Sequence, residues 1–587
     1  MPTIPIEKLG LGGLNTDNPK ETMDLAFFDK GNNMRSKEGG LIGVNSWNTE
    51  DASVRLFQQL SGTIYPVELE SIRPYSSIQW TLSGSPELQM LTAGIDDAGD
   101  GAIYLTGGGR DNGVVSDFTL PYAFDYNISN GFNSFIFNEV AIFNPTTEGP
   151  MYSNDRENFY RLPNWFGEMD GVTLTSVTDK EVYQITTVIL ADWSSVGAGT
   201  SAAVGDVFTA SSTSSIVALG DVELLIPYTT VRMCPYNGRL IAVNLFNDLA
   251  DGDPLNDVNS PIEIAYSSSI ANIGSIANLE WYAAATNTAG NAFLTNTPGV
   301  IKDCKQLGEY LMIYKTDSVF RMIDSGDPLF LTGETAFLDD GIMATDCVVD
   351  IGKNQHFVVG NYSIYIHSGG PEKATITSDK VVKAFFGKIS KDVDDKALTF
   401  VFNDSSAKEV WACYRSEEAD KNALYKGCTN AIVFNYDEGT FYEREVPNIT
   451  SIFETEINGS ISIIATSLDN PTGSLSDGYL YTLSSNYEPD GYLQWTARNL
   501  GMPDSVKEVR TLFPASELPF EVAIVGSDTN SEPDMDSATY YTFDPSSDYK
   551  LDFRELGRYI TMRFRIKDSN SPNISGAQIE ADKSGIR

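Results

Sequence analysis

The sequence predicts an all-β protein, a β-propeller that carries a small inserted β platform domain. Short apolar runs alternate with turns rich in Gly, Asn, Asp and Ser, and no long helical pattern separates them. Paired hairpins recur at intervals of roughly 40 to 60 residues, which is the length of one propeller blade. A stack of β-sandwiches is the alternative architecture that this pattern leaves open.

The domain organisation is predicted in order along the chain. Residues 1–45 form an N-terminal arm and a first strand, with a short helix from Pro19 to Phe28 that Asn18 caps. Residues 46–172 form the first blades. Residues 173–225 form the inserted platform, because charged residues become rare there and small residues frequent.

The inserted segment is predicted to pack and not to serve as a flexible linker, which is the competing interpretation. Apolar residues within its Gly/Ala/Ser/Thr-rich part argue for packing: Val204, Val207, Phe208, Ile216 and Val217.

The second half of the chain shows the clearest strand pairs. Tyr310 to Ile323 reads as two strands around Lys-Thr-Asp-Ser. His356 to Gly370 reads as a hairpin that turns on Gly360-Asn361, residue types that tolerate the positive φ of tight turns. Ala431 to Val446 reads as another hairpin, which turns at Gly439. Residues 226–587 are therefore assigned to the remaining blades.

The final strand is predicted to close the propeller. Apolar and polar residues alternate along it, with Ile560, Met562, Phe564 and Ile566 on one side and Tyr559, Thr561, Arg563, Arg565 and Lys567 on the other. This period of two is typical of a half-buried strand. The basic side either pairs with acidic neighbours across the sheet or docks an acidic copy or partner.

The composition constrains the classes of partner. The net charge is −40, with 80 acidic against 40 basic residues, which argues against a free nucleic-acid-binding surface. It is compatible with solubility, or with a surface that DNA passes without adhering. We expect no secretory signal and no membrane-spanning segment. The cysteines are predicted to be reduced core thiols: Cys234, Cys304, Cys347, Cys413 and Cys428.

Residues with catalytic or ligand-binding chemistry are sparse, and the sequence nominates no catalytic, cofactor-binding or metal-binding residue. His356 and His367 lie on the two arms of one predicted hairpin, where ordinary strand residues are the favoured interpretation over a shared metal. The glycine clusters at 10–13 and 107–109 are interpreted as turns. The acidic clusters at 96–101 and 248–257 lack the register of a calcium loop and are interpreted as surface turns.

Three stretches carry a resemblance to a known family. They are the opening GLNTDNPKETMDLAFFDKGNNMRSKEGGLIGV, the central YNGRLIAVNL followed by IEIAYSSSIANIGSIANLEW, and the closing LGRYITMRFRIKDSNSPNISGAQIEADKSGIR. They resemble the tail nozzle of short-tailed bacteriophages, also called tail tubular protein B, and the related tail stabilisation proteins. ADWSSVGAGTSAAVGDVFTAS is similar to a module of phage tail proteins.

The resemblance implies a structural virion protein without enzyme activity or cofactor. It implies a homo-oligomer, a hexameric ring at the tail tip, assembled in the host cytoplasm. The ring would lie below an adaptor ring, dock tail fibres, and conduct and gate double-stranded DNA during ejection without binding it specifically. Two alternative functions remain open. The chain could be a propeller enzyme, a glycosidase or depolymerase, or it could be a propeller that binds a glycan or a receptor.

Overall fold

The computed structural model consists mainly of short antiparallel strands. It describes residues 3–48, 68–69, 72–80, 89–107, 116–247, 258–269, 276, 279–376, 381–468, 478–566 and 571–585, apart from 7, 38, 97–98, 119, 156–157, 166, 179–181, 205–206, 282, 284–286, 326–330, 353, 422, 424 and 458–459. In these residues, α-helix is confined to α1 (Val382–Phe386) and α2 (Val393–Ala397). None of the described helices is long and apolar enough to cross a membrane.

The N-terminal arm contributes strands to several sheets: β1 (Thr3–Ile6), β2 (Gly13–Leu14), β3 (Phe27–Phe28), β4 (Lys30–Asn32), β5 (Met34–Lys37), β6 (Gly40–Gly43) and β7 (Asn45–Asn48). The helix predicted from Pro19 to Phe28 is wrong, because only a 3-10 turn forms at Lys20–Thr22. Pro19 itself is extended, with ψ of 122°, and Phe27 pairs with Gly13 in the parallel pair β2–β3.

Blades 1 and 2 are antiparallel meanders. Blade 1 has the order β12-β11-β10-β9 and blade 2 the order β13-β14-β15-β16. Their strands, with the short β8 that precedes them, are β8 (Glu68–Leu69), β9 (Ile72–Gln79), β10 (Gln89–Asp96), β11 (Gly101–Gly107), β12 (Ser116–Asp117), β13 (Asn133–Phe137), β14 (Val140–Asn144), β15 (Met151–Ser153) and β16 (Tyr160–Arg161).

The inserted sheet follows blade 2. Its order is β17-β22-β19-β20, with β18 and β21 paired beside it: β17 (Gly167–Leu174), β18 (Ser176–Val177), β19 (Val182–Val188), β20 (Val207–Thr209), β21 (Ser214–Ser215) and β22 (Gly220–Pro227). Trp193, Phe208 and Ile216 are buried in its own apolar cluster. The small β platform is therefore a separately packed unit within the propeller series.

Blades 3, 4 and 5 repeat the meander, each strand pairing with its neighbour in sequence. Their strands are β23 (Thr229–Tyr236), β24 (Arg239–Asn247), β25 (Val258–Tyr266), β26 (Gly290–Phe293), β27 (Ile301–Leu307), β28 (Tyr310–Lys315), β29 (Val319–Asp324), β30 (Leu331–Phe337), β31 (Val348–Asp350), β32 (His356–Val359), β33 (Ile364–His367) and β34 (Lys373–Thr375).

Blade 6 is a larger sheet, which the long strand β38 extends. Its order is β35-β36-β37-β38-β39-β40-β7, and β8 also pairs with β40. The strands are β35 (Phe400–Asp404), β36 (Glu409–Tyr414), β37 (Cys428–Asn435), β38 (Thr440–Ile457), β39 (Ser460–Ser467) and β40 (Gly478–Tyr487).

The blades form a closed cycle. Strand packing joins blade 1 to blade 2 (β9 and β13), blade 2 to blade 3 (β13 and β23), blade 3 to blade 4 (β23 and β27) and blade 5 to blade 6 (β31 and β35). Blades 4 and 5 are joined where Lys305 donates to the Val348 carbonyl at 3.3 Å. β38 and β39 pack back against β9, where Thr450 donates to the Pro74 carbonyl at 2.7 Å. The fold is therefore an all-β propeller.

A charge cluster that is most buried at Asp303 joins blades 3 to 6. Arg232 Nε lies 3.2 Å from Asp303 Oδ1, and the Arg232 guanidinium also pairs with the Asp346 carboxylate. The Asp346 N–H donates to Asp303 Oδ2 at 2.9 Å, and the Asp346 carbonyl accepts from Val401 at 2.8 Å. Burial raises the pKa of the Asp303 carboxyl, which the Arg232 charge opposes.

The last strand does not close the propeller, which corrects the predicted role of the C-terminus. β47 lies between β42 and β6 and also pairs with β1, while β46 lies between β41 and β43. The strands of these terminal sheets are β41 (Tyr492–Arg498), β42 (Val506–Ser516), β43 (Phe520–Ser527), β44 (Tyr541–Phe543), β45 (Leu551–Gly557), β46 (Tyr559–Arg565) and β47 (Ile574–Gly585). The alternation identified a strand, but its partners are distant in sequence.

The predicted hairpins are confirmed as β28–β29, β32–β33 and β37–β38. Gly439 has a φ of 69° at its turn, as expected. Gly360 does not have positive φ; a Cβ there would lie 2.7 Å from the Asp340 carboxylate, so close approach favours glycine. The boundaries 1–45, 46–172, 173–225 and 226–587 stay predictions as domain limits.

The cysteines are buried and form no disulfide, which agrees with their interpretation as core thiols. Burial raises the pKa of the Cys347 and Cys413 thiols above their ordinary value. These thiols are therefore held in the uncharged form.

Candidate functional site

The two histidines of the chain face each other in blade 5. His356 on β32 and His367 on β33 are cross-strand partners, with 0% and 2% of their surface exposed. Tyr314 of β28 reaches them from blade 4, with its hydroxyl oxygen 2.6 Å from His356 Nδ1 and 2.9 Å from His367 Nε2. The side chains thus join two blades.

The direction of this hydrogen-bond chain follows from its two ends. The Gly369 N–H donates to His367 Nδ1 at 3.1 Å, so His367 carries its proton on Nε2 and donates to Tyr314. Tyr314 then donates to His356 Nδ1, and His356 Nε2 donates to the Gln306 carbonyl at 3.2 Å. All four ring nitrogens have partners within the fold.

Burial keeps both imidazoles neutral. It lowers the pKa of His367 to about 4, with a further contribution from the Lys373 charge. It also lowers the pKa of His356 well below its ordinary value, and the charges of Lys305 and His367 act in the same direction. The pair therefore serves as a neutral connection between blades 4 and 5.

The clusters noted in the sequence are only partly within the described residues. Asp96 turns the β10–β11 hairpin, where the Asp100 N–H donates to Asp96 Oδ1 at 2.9 Å. Gly10 and Gly13 occupy a turn, both with positive φ. Residues 248–257 and 108–110 lie outside the described residues. No group of three or more His, Cys, Asp or Glu that could hold a metal ion occurs in the described part of the chain.

The basic face of β46 pairs with acidic neighbours. Arg565 donates to Glu521 Oε2 at 2.6 Å, and Glu521 is its cross-strand partner in β43. Arg563 donates to Asp536 at 2.6 Å and to Gln494 at 2.7 Å. Of the two interpretations left open for this face, these contacts favour pairing across the sheet. Lys567 lies outside the described residues.

The candidate functional surface is the tip of the inserted sheet. Ile189 and Leu190 directly follow β19 and are 67% and 54% exposed, and Val217 in the facing turn is 61% exposed. The Ile189 and Leu190 N–H groups both donate to the Leu219 carbonyl, at 2.7 Å and 3.2 Å, which brings the two segments together. We call Ile189, Leu190 and Val217 the apolar tip.

Few charged residues surround the apolar tip. Residues 182–222 contain three, the acidic Asp192, Asp206 and Asp221, and no basic residue. The Asp192 carboxylate accepts from the Ser194 N–H at 3.0 Å and from its hydroxyl at 2.6 Å, and these bonds lower its pKa. Exposed apolar surface that lacks charge is typical of a protein-contact site.

The prediction that five apolar residues pack inside the inserted segment is correct for two of them. Phe208 and Ile216 are 7% and 0% exposed, whereas Val204, Val207 and Val217 are 64%, 53% and 61% exposed. Composition alone did not distinguish the buried from the exposed side chains, because the short strands of this sheet are separated by irregular turns.

A second surface is a cleft of about 630 Å³ between the inserted sheet and blade 3. Trp165 packs edge to face on Trp281, with ring centroids 4.6 Å apart, and its Nε1 donates to the Tyr228 carbonyl at 2.7 Å. Asn164, Gln184, Glu280 and Asn287 also line the cleft, and the Asn287 amide donates to the Glu280 carboxylate. No sequence motif marks this cleft, because its residues come from separate segments.

Comparison with known proteins gives structural likenesses alone. No family model and no curated protein matches the chain. Solved structures that match include a Bacillus subtilis glycoside hydrolase family 43 arabinoxylan arabinofuranohydrolase in complex with cellotetraose, at 9% identity and a TM-score of 0.21, with 88% of this chain and 97% of that chain covered. AztD from Citrobacter koseri matches at 7% identity and a TM-score of 0.30, with 75% and 90% covered. An ACO/RPE65 chimera matches at 8% identity and a TM-score of 0.30, with 74% and 97% covered.

These comparisons correct one expectation. The sequence led us to expect a protein without enzyme activity, yet the matched structures include a hydrolase. An apocarotenoid oxygenase from Synechocystis also matches, at 7% identity and a TM-score of 0.27, with 74% of this chain and 96% of that chain covered. The expectation is therefore withdrawn. At these identities and TM-scores the likenesses assign no reaction and no substrate to this chain.

Proposed function

We propose that the chain is a structural subunit of a short phage tail, where copies of it form a nozzle ring. In this proposal the ring, a hexamer, docks to an adaptor ring and tail fibres and conducts and gates DNA during ejection. It is assembled in the host cytoplasm and resides in the virion tail. The observation that carries the proposal is the apolar tip on a chain with a net charge of −40.

Electrostatics favours the apolar tip as a contact between copies. Copies that each carry −40 repel one another, so they associate best where few carboxylates are brought together. Burial of one exposed aliphatic side chain contributes about 1.5–3 kcal/mol. Contacts through Ile189, Leu190 and Val217 would therefore supply association free energy from apolar side chains in a segment with few charged residues.

The route for DNA in this proposal runs between subunits and not along the propeller axis. The Thr345 hydroxyl of blade 5 donates to the Asn130 carbonyl at the start of blade 2, at 3.2 Å, and so bridges opposite sides of the propeller. Tyr126, which precedes the same turn, stacks on Tyr75 of blade 1 at 3.8 Å. A ring of acidic subunits would repel the phosphates of passing DNA, which limits adhesion.

Substitution of the apolar tip tests the proposal. We expect native mass measurement and electron microscopy to find rings of the unmodified chain. The double variant Ile189→Asp/Leu190→Asp should raise the dissociation constant of subunit association by at least about tenfold, because it places charge in the contact. Val393→Asp is the matched control, since Val393 is 77% exposed on α2, which precedes blade 6 and is far along the chain from the apolar tip. The proposal is ruled out if the double variant assembles as tightly as the unmodified chain, or if the unmodified chain stays monomeric at every protein concentration.

The cleft beside Trp165 supports glycan binding as a second candidate function. Sugar rings bind on aromatic faces with polar groups at their edges, and the cleft offers Trp165 together with amide and carboxylate groups. Trp165→Ala is expected to weaken binding to a host polysaccharide at least about tenfold in a pull-down titration. Tyr362→Ala, at a residue that is 77% exposed on the blade 5 turn, is the control. Assay of released sugar separates binding from hydrolysis.

A further inference from the structure

A second cavity, of about 270 Å³, lies between the N-terminal arm and blade 6. The arm contributes Arg35 and Lys37 from β5, while blade 6 contributes Trp411 from β36 and Arg444 from β38. The lining therefore combines segments about 400 residues apart in sequence, and whatever occupies the cavity contacts both.

Arg444 is held rigidly at this cavity. Its guanidinium carbon lies 4.3 Å from the centre of the Trp411 ring and 5.4 Å from that of Trp47, and the side chain is 1% exposed. Its Nη2 donates to the Asn45 carbonyl at 2.9 Å. Cation–π contacts with two indoles whose planes are 81° apart restrict the guanidinium, and its Nη2 makes the polar contact.

The buried donors around the cavity outnumber their acceptors. Arg35 Nε, Arg444 Nε and Trp411 Nε1 are buried without a hydrogen-bond acceptor among the described residues, as is Trp47 Nε1 beside them. Arg35, Arg444 and Trp411 are only 7%, 1% and 1% exposed. Buried donors are normally satisfied, so the three that belong to lining residues favour an acceptor-rich occupant.

The acidic residues in the lining are already engaged. Glu409 accepts from Arg35 and, at 2.8 Å, from the Tyr442 hydroxyl. Asp404 Oδ1 accepts from the Ala407 N–H at 2.9 Å and from the Ser406 hydroxyl at 2.7 Å. The lining holds three basic and two acidic residues, which is a local excess of positive charge in a chain with a net charge of −40.

We propose that this cavity binds a small tetrahedral oxyanion, a phosphate group, which Arg35 and Arg444 hold together with the indole N–H of Trp411. A phosphate presents only acceptor oxygens, which matches a cluster of unpaired donors. The bound anion joins the N-terminal arm to blade 6. This proposal does not depend on the nozzle function.

Calorimetric titration with inorganic phosphate tests the site, with chloride at matched ionic strength as the control. We expect one saturable site per chain and at least about tenfold weaker binding in Arg444→Met and in Trp411→Phe, since each loses a donor. Lys37→Gln, at a half-buried position on β5, should also bind phosphate more weakly, and it serves as the test if the variants at buried positions fail to fold. Arg554→Gln, at a residue whose side chain is 74% exposed, should bind as the unmodified chain does.

Adenosine monophosphate is the second ligand of the test, and it separates two sources of the phosphate group. Competition by the nucleotide indicates a phosphate carried on a small molecule, whereas binding of inorganic phosphate alone indicates the free ion. Absence of saturable heat with both ligands, or equal phosphate affinity in Arg444→Met, Trp411→Phe and Lys37→Gln, would overturn the proposal and leave water as the occupant.

Discussion

Asp303→Asn is expected to lower the apparent free energy of unfolding by about 1–3 kcal/mol, because it removes the buried carboxylate of Arg232 and leaves only the more exposed Asp346 to pair with it. Asp303 is 2% exposed and its carboxylate lies 3.2 Å from Arg232 Nε. The same carboxylate accepts from the Cys304 and Asp346 N–H groups, at 2.7 Å and 2.9 Å, so it connects blade 4 to blade 5. Urea denaturation, with the melting temperature as a second readout, measures the loss.

Asp346→Asn is the matched control for this prediction. It alters the other carboxylate on the same guanidinium, but the side chain of Asp346 is 43% exposed, so solvent screens the pair. We expect a loss of about 1 kcal/mol or less. A larger loss for Asp346→Asn than for Asp303→Asn would show that burial does not govern the cluster.

Acidification is expected to destabilise the protein between pH 6.5 and about pH 4 through its two histidines. Burial lowers the pKa of His367 to about 4 in the folded chain, whereas the unfolded chain has the ordinary value near 6.5. The unfolded state therefore binds more protons in this window, and the free energy of unfolding falls as pH falls. The loss at His367 amounts to about 3 kcal/mol, since a difference of one in pKa corresponds to about 1.4 kcal/mol.

Urea denaturation across this pH range isolates the histidine contribution. The variant His356→Gln/His367→Gln keeps every carboxylate of the chain but removes the imidazoles. We expect it to be less stable than the unmodified chain at pH 7 and to lose less stability between pH 6.5 and pH 4.5. The interpretation fails if both proteins show the same slope against pH, because carboxylates would then account for the whole effect.

Local pattern predicted much of this fold. The two apolar runs within Tyr310–Ile323 and the turn residues near Gly439 identified strands and hairpins, because these features depend on residues close in sequence. The pairing of β47 with β1 joins Glu580 to Thr3, and no local pattern specifies such a partner. The predicted propeller closure was therefore assigned to the wrong strand.

The functional surfaces were less predictable. The low charge of the inserted segment was visible in the sequence, but the exposure of Ile189 and Leu190 depends on how β19 ends. Asp303 gave no such signal, because β27, IKDCKQL, mixes charged and apolar residues without a regular alternation. The cavity beside Arg444 combines distant segments, so its composition emerges only after folding.

The pairing of both chain ends in one sheet imposes an order on biosynthesis. A ribosome adding about 5–20 residues per second takes roughly half a minute to two minutes to translate the 587 residues. Throughout that time Thr3 to Ile6 await Ala577 to Glu580, their partners in β47. The blades can mature on the nascent chain, whereas this sheet is completed only once β47 has been synthesised. A chain shortened at either end would leave an open strand edge, ready to associate with other chains.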